Sequence, residues 1–395
     1  MGLSSESLAA VQAALQELDL DGWLLFGFHR QNPVAASVLG VDDSTRRYFA
    51  LLPSRGEPRV LTHSIDASLW TDWSWPVLHY RGWRDLERRI PELLKGCRRL
   101  AMETSPEGAI PTLDRVPAGV MSFLERLGVA PSSSGELVTI FNSRWSEDQL
   151  ARHRETAKTL RRVAHEAFRK AAKGVREGAP IREGELAEWI RARLPDLGIT
   201  VGVDCVVAAG SAASDPHYQP RDSSGRPVGE GDVLLVDLWG KPSEIDVPAD
   251  QTWMAYLGRR VPDRVQAAWE AVRDAREAGL DLLDRGWRGG TSIRGFEVDE
   301  ACRSVIERRG LGEYFVHRTG HSIDRELHGS GPNLDGVETM DDRILLPGIG
   351  FSVEPGVYVP GEFGLRSEVN VHLGSQGPEV TTPDPQEEIL LLLED

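Results

Sequence analysis

Apolar residues follow two kinds of pattern in the first part of the chain. In some segments they recur every three or four residues, as on one face of a helix, and in others they form short unbroken runs. The segments with helical spacing are 5–18 and 112–127, and the candidate strands are 22–26, 47–52, 59–61 and 100–102. Strands separated by helices predict an α/β domain. It contains neither a G-x-G-x-x-G nor a Walker motif, so the sequence does not support nucleotide binding.

A turn-rich segment, Pro131–Gly135, separates this region from a different pattern. Ser146 followed by Gln149 forms a capping-box sequence, which predicts the start of a long helix with an apolar stripe. Gly174 is a plausible end for that helix. We therefore place a domain boundary at about residue 145. The predicted domains are 1–145 and 146–395.

The second domain mixes longer helical patterns with strands. The predicted helices are 183–194, 264–284 and 297–309, and the predicted strands are 201–208, 232–239, 252–257, 350–359 and 365–373. Paired helices followed by strands occur twice, which hints at an internal duplication too weak to claim. The fold class predicted for the whole chain is α/β (α+β), beginning with an α/β domain.

Composition narrows the classes of function. The 395 residues carry a net charge of −16, with 40% hydrophobic and 27% charged residues, as in globular proteins. This acidity argues against a nucleic-acid-binding protein, and no apolar run reaches the length of a membrane span. The N-terminal residues show no secretory signal pattern. The cysteines Cys97, Cys205 and Cys302 are few and far apart, so we expect a reduced, cytoplasmic protein.

Five acidic or imidazole side chains of the second domain lie at or near predicted strands. They are Asp237, Asp250, His321, Glu354 and Glu368. Each alone has an ordinary structural interpretation, such as a strand-end cap, a loop residue or a turn histidine. Together, four carboxylates and one imidazole suit a pair of divalent metal ions such as Mn²⁺, Co²⁺ or Zn²⁺. Two such ions can activate a shared water and stabilise a tetrahedral intermediate.

The order of these five residues resembles that of the metal ligands in the pita-bread metallopeptidases, which include aminopeptidase P, prolidase and methionine aminopeptidase. The strings that carry the resemblance are VLLVDLWG, ADQT, HRTGHSI, FSVEPGVY and GLRSE, within about 200–375. The first 145 residues are similar, less specifically, to the N-terminal domain of creatinase, prolidase and aminopeptidase P. The resemblance therefore implies a creatinase-like first domain followed by a pita-bread catalytic domain.

The resemblance also implies a role for each ligand. Asp237 matches the carboxylate that chelates the first metal, and Asp250 and Glu368 match the two bridging carboxylates. His321 and Glu354 match the ligands of the second metal. Glu354 would in addition shuttle a proton from the bridging water towards the leaving nitrogen.

Further positions match residues around the metals. His328 matches a histidine that steadies the scissile carbonyl and its oxyanion, and His217 matches a catalytic histidine near the substrate. His317 matches a substrate-binding histidine of the proline-recognising branch. The alternative for each histidine is a surface or hydrogen-bonded structural residue. Arg366 and Thr252 match residues that orient the metal-binding carboxylates.

The sequence departs from the family pattern near two of these ligands. Ser322 and Asp324 stand where the family usually has glycines, so the backbone or the charge of that loop is expected to differ. The interval between Asp237 and Asp250 is slightly longer than usual, which makes Asp246 a rival for Asp250. We prefer Asp250 because Thr252 and the following strand are then in the expected phase.

These residues predict a dinuclear metallopeptidase that cleaves the bond before proline, as an Xaa-Pro dipeptidase or aminopeptidase. The implied cofactors are two divalent ions per chain, Mn²⁺ first and Co²⁺, Zn²⁺ or Fe²⁺ as alternatives. The implied partners are a small peptide with proline in second position and a second copy of the chain in a homodimer, with no nucleic acid and no membrane. One alternative is a hydrolase or lyase of the same fold acting on a lactam, ureido or amidine compound. The other is a binding module without catalysis.

Overall fold

A computed structural model describes residues 3–41, 43–220 and 223–394. The chain divides into two compact units, Met1–Asn142 and Ser143–Asp395. This division lies close to the boundary predicted near residue 145. No helix in the described ranges is both long enough and apolar enough to cross a bilayer.

The first unit is a mixed sheet with helices. Its helices are α1 (Ser5–Glu17), α2 (Pro33–Leu39), α3 (Trp83–Leu93), α4 (Ala118–Arg126) and α5 (Gly135–Asn142). Its strands are β1 (Gly22–Gly27), β2 (Tyr48–Pro53), β3 (Arg59–His63), β4 (Val77–Tyr80), β5 (Arg99–Met102) and β6 (Ala130–Ser133). The strand order is β4-β3-β2-β1-β5-β6, with β1 parallel to β5 and antiparallel to β2.

Strand β1 shows why an unbroken apolar run forms the centre of this sheet. Trp23 and Leu25 pack into one buried apolar cluster, and Leu24 and Phe26 pack into a second cluster. A strand covered on both faces needs apolar residues at every position rather than at alternate ones. Glu103 is fully buried and accepts hydrogen bonds from side chains that come before and after it in the sequence. One of these donors is the Trp23 indole, at 2.7 Å.

The second unit contains longer helices and smaller sheets. Its helices are α6 (Glu147–Arg176), α7 (Glu183–Asp196), α8 (Asp263–Gly289) and α9 (Gly295–Arg308). Its strands are β7 (Val201–Ala209), β8 (Val233–Lys241), β9 (Ala249–Tyr256), β10 (Ser322–Ile323), β11 (Gly350–Val353), β12 (Gly356–Val359), β13 (Phe363–Arg366), β14 (Val369–Gly374), β15 (Gly377–Val380) and β16 (Leu390–Leu391). They form the sheets β16-β9-β8-β7 and β10-β11-β14-β15 and the hairpin β12-β13.

Two predicted strands of the second unit each divide into two. The segment predicted as one strand over 350–359 forms β11 and β12, which are separated at Glu354 and Pro355. The segment predicted over 365–373 forms β13 and β14, separated at Ser367 and Glu368. The apolar runs gave no sign of these breaks. Proline cannot donate a ladder hydrogen bond, which accounts for the first break.

Other differences concern where helices begin and end. The predicted helix over 112–127 begins only at Ala118, directly after Pro117. The capping box of Ser146 and Gln149 forms as predicted, but Gly174 does not end α6, which continues to Arg176. A Cβ on Gly174 would lie 2.8 Å from the carbonyl oxygen of Ala179, so this glycine allows close packing instead. The turn predicted over 131–135 is also wrong, because these residues belong largely to β6 and the start of α5.

A buried histidine links α6 to two loops of the second unit. The His153 ring nitrogens lie 3.0 Å from the Pro248 carbonyl oxygen and 2.8 Å from the Thr381 hydroxyl. The ring also packs against Trp145, with centroids 4.6 Å apart. Burial lowers the pKa of His153 from 6.5 to about 4. The folded second unit therefore holds this imidazole in its neutral form.

This lowered pKa predicts a loss of stability in mild acid. Between pH 6.5 and pH 4 the unfolded chain binds a proton at His153 and the folded chain does not. The contribution is complete above pH 6.5 and is lost as the pH falls, by up to about 3 kcal/mol. In denaturant titrations across this range, His153→Gln should have a flatter pH dependence than the wild type. The exposed His79 provides the control variant, His79→Gln, and an unchanged slope in His153→Gln would contradict the prediction.

Candidate metal centre

Strands β8 and β9 place two of the predicted ligands on one face of their sheet. Asp237 pairs with Thr252 and Trp239 pairs with Asp250 in the antiparallel register. Because paired residues and residues two apart share a face, these four side chains project to the same side. The sequence suggested that Asp237 ends a strand. In the structure Asp237 lies within β8.

The other predicted ligands lie where strands of the second sheet end. Val353 of β11 pairs with Val369 of β14, and one further step in that register brings Glu354 opposite Glu368. His321 immediately precedes β10, and its carbonyl oxygen accepts a hydrogen bond of 2.9 Å from the Ser352 amide. The Asp250 amide donates to the Asn370 side-chain oxygen at 2.8 Å, which joins the two sheets at the site.

These elements enclose one cavity of about 480 Å³ in the second unit. Ligand atoms of Asp250, His321 and Glu368 all lie within 4.8 Å of one another. The His321 Nε2 atom is 3.4 Å from Asp250 Oδ2 and 3.5 Å from Glu354 Oε1. The predicted site residues that line this cavity are Asp237, Asp250, His321, Glu354, Glu368, His217, His317, His328 and Arg366. Their assignment as ligands and catalytic groups stays a prediction.

The cavity concentrates negative charge away from water. Burial raises the pKa of Asp237 to about 8, with the carboxylates of Asp250 and Glu354 adding to the effect and Arg366 opposing it. Burial and the same neighbouring carboxylates also raise the pKa of Glu368 well above its ordinary value. Carboxylates packed this closely are ionised together only when positive charge is placed among them.

Glu354 differs from these two carboxylates. Burial alone would raise its pKa, but the positive charges of His321 and Arg366 outweigh that effect and lower it. Ser352 supports the same carboxylate, because its hydroxyl donates to Glu354 Oε1 at 3.0 Å. The Ser352 hydroxyl also accepts a hydrogen bond from the His321 amide at 3.0 Å. The site therefore favours an ionised Glu354, which can accept a proton.

Several buried carboxylate oxygens lack a hydrogen-bond partner among the described residues. These are Asp237 Oδ1, Asp250 Oδ1 and Glu368 Oε1, one on each of three predicted ligands. A buried oxygen without a partner costs about 1–3 kcal/mol or more when charged. The donor set of carboxylates and one imidazole suits hard or borderline divalent cations. The residues present therefore fit a divalent metal.

The other ring nitrogen of His321 fixes the direction in which it could bind. Nδ1 lies 3.2 Å from the Ser322 carbonyl oxygen, an acceptor, so Nδ1 carries the proton. Burial lowers the pKa of His321, but Asp250 and Glu354 outweigh this effect and raise it, which favours a proton on Nε2 while no cation is bound. Once that proton is released, Nε2 presents a lone pair towards Asp250 and Glu354. This arrangement, in which one nitrogen donates to a carbonyl and the other points into the site, is typical of metal-binding histidines.

Arg366 connects the carboxylates to a wider network. Its guanidinium pairs with Asp237, donates to the Thr252 hydroxyl at 2.8 Å, and has Nε 4.0 Å from Glu354 Oε2. Thr252 in turn donates to Glu368 Oε2 at 2.8 Å. Arg366 and Thr252 thus contact the predicted ligands in the manner expected of residues that orient them.

Tyr358 belongs to this network and was missed in the sequence. Its hydroxyl accepts a hydrogen bond of 3.3 Å from Arg366 and lies 2.9 Å from His317 Nε2, to which it can donate. His317 Nδ1 lies 2.6 Å from the Arg318 carbonyl oxygen. Both ring nitrogens of His317 are therefore engaged within the protein. A tyrosine inside the apolar run of β12 looks like a core residue, so only its spacing after Glu354 could have indicated this role.

The structure also separates Asp250 from its rival. Asp246 is buried, pairs with Arg152 and accepts a hydrogen bond of 2.6 Å from the Ser243 hydroxyl. Its carboxylate is thus satisfied by protein groups. Asp250, in contrast, lines the cavity and has an oxygen without a partner. The geometry favours Asp250 as the ligand.

A family model matches most of the second unit. Residues 155–374 match the model of metallopeptidase family M24, which is more than half of the chain. The chain belongs to metallopeptidase family M24. This confirms the resemblance to the pita-bread metallopeptidases drawn from the five ligand motifs.

Curated relatives in this family are peptidases by name. The chain is 32% identical over 186 residues to the "Probable dipeptidase PepE" of Mycobacterium tuberculosis, covering 47% of this chain and 46% of that protein. It is 28% identical over 223 residues to the Xaa-Pro dipeptidase of Lactobacillus delbrueckii subsp. lactis, covering 56% of this chain and 55% of that protein. The chain spans about half the length of the curated relatives that it matches.

Solved structures show the same fold over nearly the whole chain. Dipeptidase PepE from Mycobacterium ulcerans superposes with a TM-score of 0.74 at 23% identity, covering 97% of this chain and 96% of that one. Prolidase from Thermococcus sibiricus superposes with a TM-score of 0.68 at 21% identity, covering 99% and 100%. These likenesses confirm the predicted fold class.

Metal binding at this site should depend on Asp250 and His321 and not on Asp246. Mn²⁺ at about 100 times its dissociation constant should stabilise the wild type by about 2.7 kcal/mol, because the unfolded chain has no assembled site. Asp250→Asn and His321→Ala should lose most of this gain and most of the metal found by elemental analysis. Asp246→Asn is the matched control and should keep its metal while folded. The reverse result, with metal lost only in Asp246→Asn, would make Asp246 the ligand.

Proposed function

We propose that this chain is a metal-dependent peptidase that hydrolyses the bond before proline, as an Xaa-Pro dipeptidase or aminopeptidase. The observation that carries this proposal is the convergence of buried carboxylates and one imidazole on a single cavity in a member of family M24. The names of the Xaa-Pro dipeptidases among its relatives support the same substrate class. The homodimer and the cytoplasmic location stay predictions.

Asp237, Asp250, His321, Glu354 and Glu368 would hold two divalent ions. Ions held there would lower the pKa of a bound water and polarise the scissile carbonyl. The chain itself contributes the orientation of the ligands, because Arg366 contacts one oxygen of Asp237 and Thr252 donates to one oxygen of Glu368. The remaining oxygen of each carboxylate is left for the metal.

Glu354 is placed to move the proton. Its lowered pKa keeps it ionised near neutral pH, and its carboxylate reaches the cavity beside His321. An ionised carboxylate next to the attacking water can take its proton and then deliver it to the nitrogen of the leaving proline. Ser352, by donating to Oε1, restricts the rotation of this carboxylate.

His328 and His217 face the substrate from the cavity wall. The His328 ring packs edge-on against His321, with centroids 4.5 Å apart, while its outer edge is exposed to solvent. Partial loss of solvent and the nearby charges of His321 and Arg318 lower the pKa of His328, so the ring is neutral at pH 7. A neutral imidazole can donate one hydrogen bond to a scissile carbonyl as it gains negative charge. His217, which also lines the cavity, would contact the substrate backbone.

His317 would act differently from the other two histidines. Its nitrogens are engaged by the Arg318 carbonyl and the Tyr358 hydroxyl, and burial lowers its pKa. It would therefore offer the substrate a ring surface rather than a hydrogen bond. A ring surface suits proline, which has no N–H to donate and is recognised through packing and its carbonyl group.

The proposed specificity predicts a clear order of substrates. For the Mn²⁺-loaded protein, kcat/KM for Gly-Pro or Ala-Pro should exceed kcat/KM for Ala-Ala by about tenfold to a hundredfold or more. A longer X-Pro-Pro peptide in the same assay separates the aminopeptidase from the dipeptidase. A lactam and a ureido acid serve as controls. Cleavage of either control with all X-Pro peptides left intact would replace this function by that of a non-peptide hydrolase of the same fold.

Glu354→Gln should remove most of the turnover without unfolding the protein. The amide is nearly the same size but cannot accept the proton, so kcat should fall by about 10²–10⁴-fold. Glu362→Gln is the matched control, because Glu362 is a partly exposed acid paired with Arg264 on the surface. Circular dichroism and metal content would be measured with each kcat. A folded, metal-loaded Glu354→Gln with nearly normal kcat would assign the proton transfer to another group.

A further inference from the structure

His328 lies on an irregular segment that must hold it in place. The segment 322–330 leaves the short strand β10 and returns to it, since the Gly329 amide donates to the Ser322 carbonyl oxygen at 2.7 Å. At its base, the Trp145 indole donates to the Ile323 carbonyl oxygen at 2.7 Å. These contacts fix the two ends of the segment. The part between Asp324 and His328 needs other support.

Asp324 provides support from inside the segment. Its side chain is buried, with 4% exposure, and each carboxylate oxygen accepts one backbone hydrogen bond. Oδ1 accepts from the Glu326 amide and Oδ2 from the Ser330 amide, both at 2.8 Å. These donors lie on either side of His328 in sequence. The carboxylate therefore spans the residues that carry the histidine.

Gly329 shows how closely this carboxylate packs beside His328. A Cβ on Gly329 would lie 2.9 Å from the Asp324 carboxylate, a distance that side chains do not reach. The residue next to His328 is thus in direct contact with Asp324. Burial raises the pKa of Asp324 while its two backbone donors oppose that rise. Its position is fixed by several contacts rather than by one.

Lys241 provides support from outside the segment. It is the last residue of β8, the strand that carries Asp237, and it is buried with 6% exposure. Its ammonium donates to the carbonyl oxygen of Arg325, and to that of Glu244 at 3.3 Å. The carboxylate of Glu244 is 4.0 Å away and mostly exposed, so it neutralises Lys241 only weakly. A buried ammonium that donates to carbonyl oxygens ties this segment to the strand of a predicted metal ligand.

We propose that Asp324 and Lys241 are positioning residues that together fix His328 against the reacting carbonyl. This rests on the proposed function, in which His328 contacts that carbonyl. Asp324 satisfies N–H groups and Lys241 satisfies a C=O group of the same short segment, so their charges hold its backbone in complementary ways. A loss of either support displaces the imidazole, and a displacement near 1 Å can cost about a hundredfold in rate.

The test uses Asp324→Asn and Lys241→Met, each alone and combined with His328→Ala, in the full-length Mn²⁺-loaded protein. Both single variants should lower kcat by about tenfold to a hundredfold and change KM much less, because the contact strengthens in the transition state. In the His328→Ala background the same substitutions should change kcat less than about twofold, since they act through that ring. Glu326→Gln is the control, because the side chain of Glu326 is exposed and its backbone amide is unchanged.

A second measurement does not depend on activity. Hydrogen–deuterium exchange of the metal-free protein should be faster in peptides covering 322–331 of both variants and unchanged elsewhere. If Asp324→Asn does not fold, Lys241→Met, which keeps most of the side-chain volume, carries the test. Equal kcat losses with and without His328, or unchanged exchange, would overturn the proposal. A wild type that cleaves no X-Pro peptide would instead overturn the proposed function.

Discussion

The second unit is organised around buried carboxylates that repel one another across one cavity. Burial raises the pKa values of both Asp237 and Glu368, and the nearby carboxylates of Asp250 and Glu354 add to this effect. Arg366 contributes the positive charge that contacts Asp237 and approaches Glu354. A fold that buries these groups is stable only if further charge, hydrogen bonds or metal ions compensate them. The surrounding strands and loops position the groups that supply this charge and these hydrogen bonds.

The arrangement depends on bringing two different sheets to one point. Asp237 and Asp250 need the regular register of β8 and β9, which places them on a common face. Glu354 and Glu368 need the opposite condition, a break in the strand ladder, which lets their side chains turn into the cavity. The Asn370 side chain bridges the two by accepting the Asp250 amide. Regular strands therefore supply Asp237 and Asp250, and interrupted strands supply Glu354 and Glu368, to the same cavity.

Much of this could be predicted from the sequence, and the failures have physical causes. The order of the motifs selected five residues that the structure brings to one cavity, where their role as metal ligands stays a prediction. Apolar runs such as that of β1 predicted strands of the first sheet. The breaks at Glu354 and Glu368 were missed because the strands were assigned from the apolar runs on either side, although Pro355-Gly356 and Arg366-Ser367 interrupt those runs. Tyr358 was missed because its ring is buried like a core residue while only its hydroxyl takes part. Helix α5 was missed because serines precede it and its first residue, Gly135, is typical of a turn.

Ser322 and Asp324 depart from the family pattern. The sequence alone locates this difference but does not show its consequence. Of the described residues that line the cavity, the segment after Thr319 and before Gly329 contributes His321, Leu327 and His328. Ser322 and Asp324 are buried and do not line the cavity. The Ser322 amide donates to the Asn333 side-chain oxygen, and the Asp324 carboxylate accepts from the Glu326 amide. Neither side chain is therefore placed to contact a substrate in the cavity. Other parts of the wall present large or charged side chains to the cavity, among them Trp239, Arg318 and Glu338. The groups that would support the His328 segment are in this way separate from the groups that line the cavity.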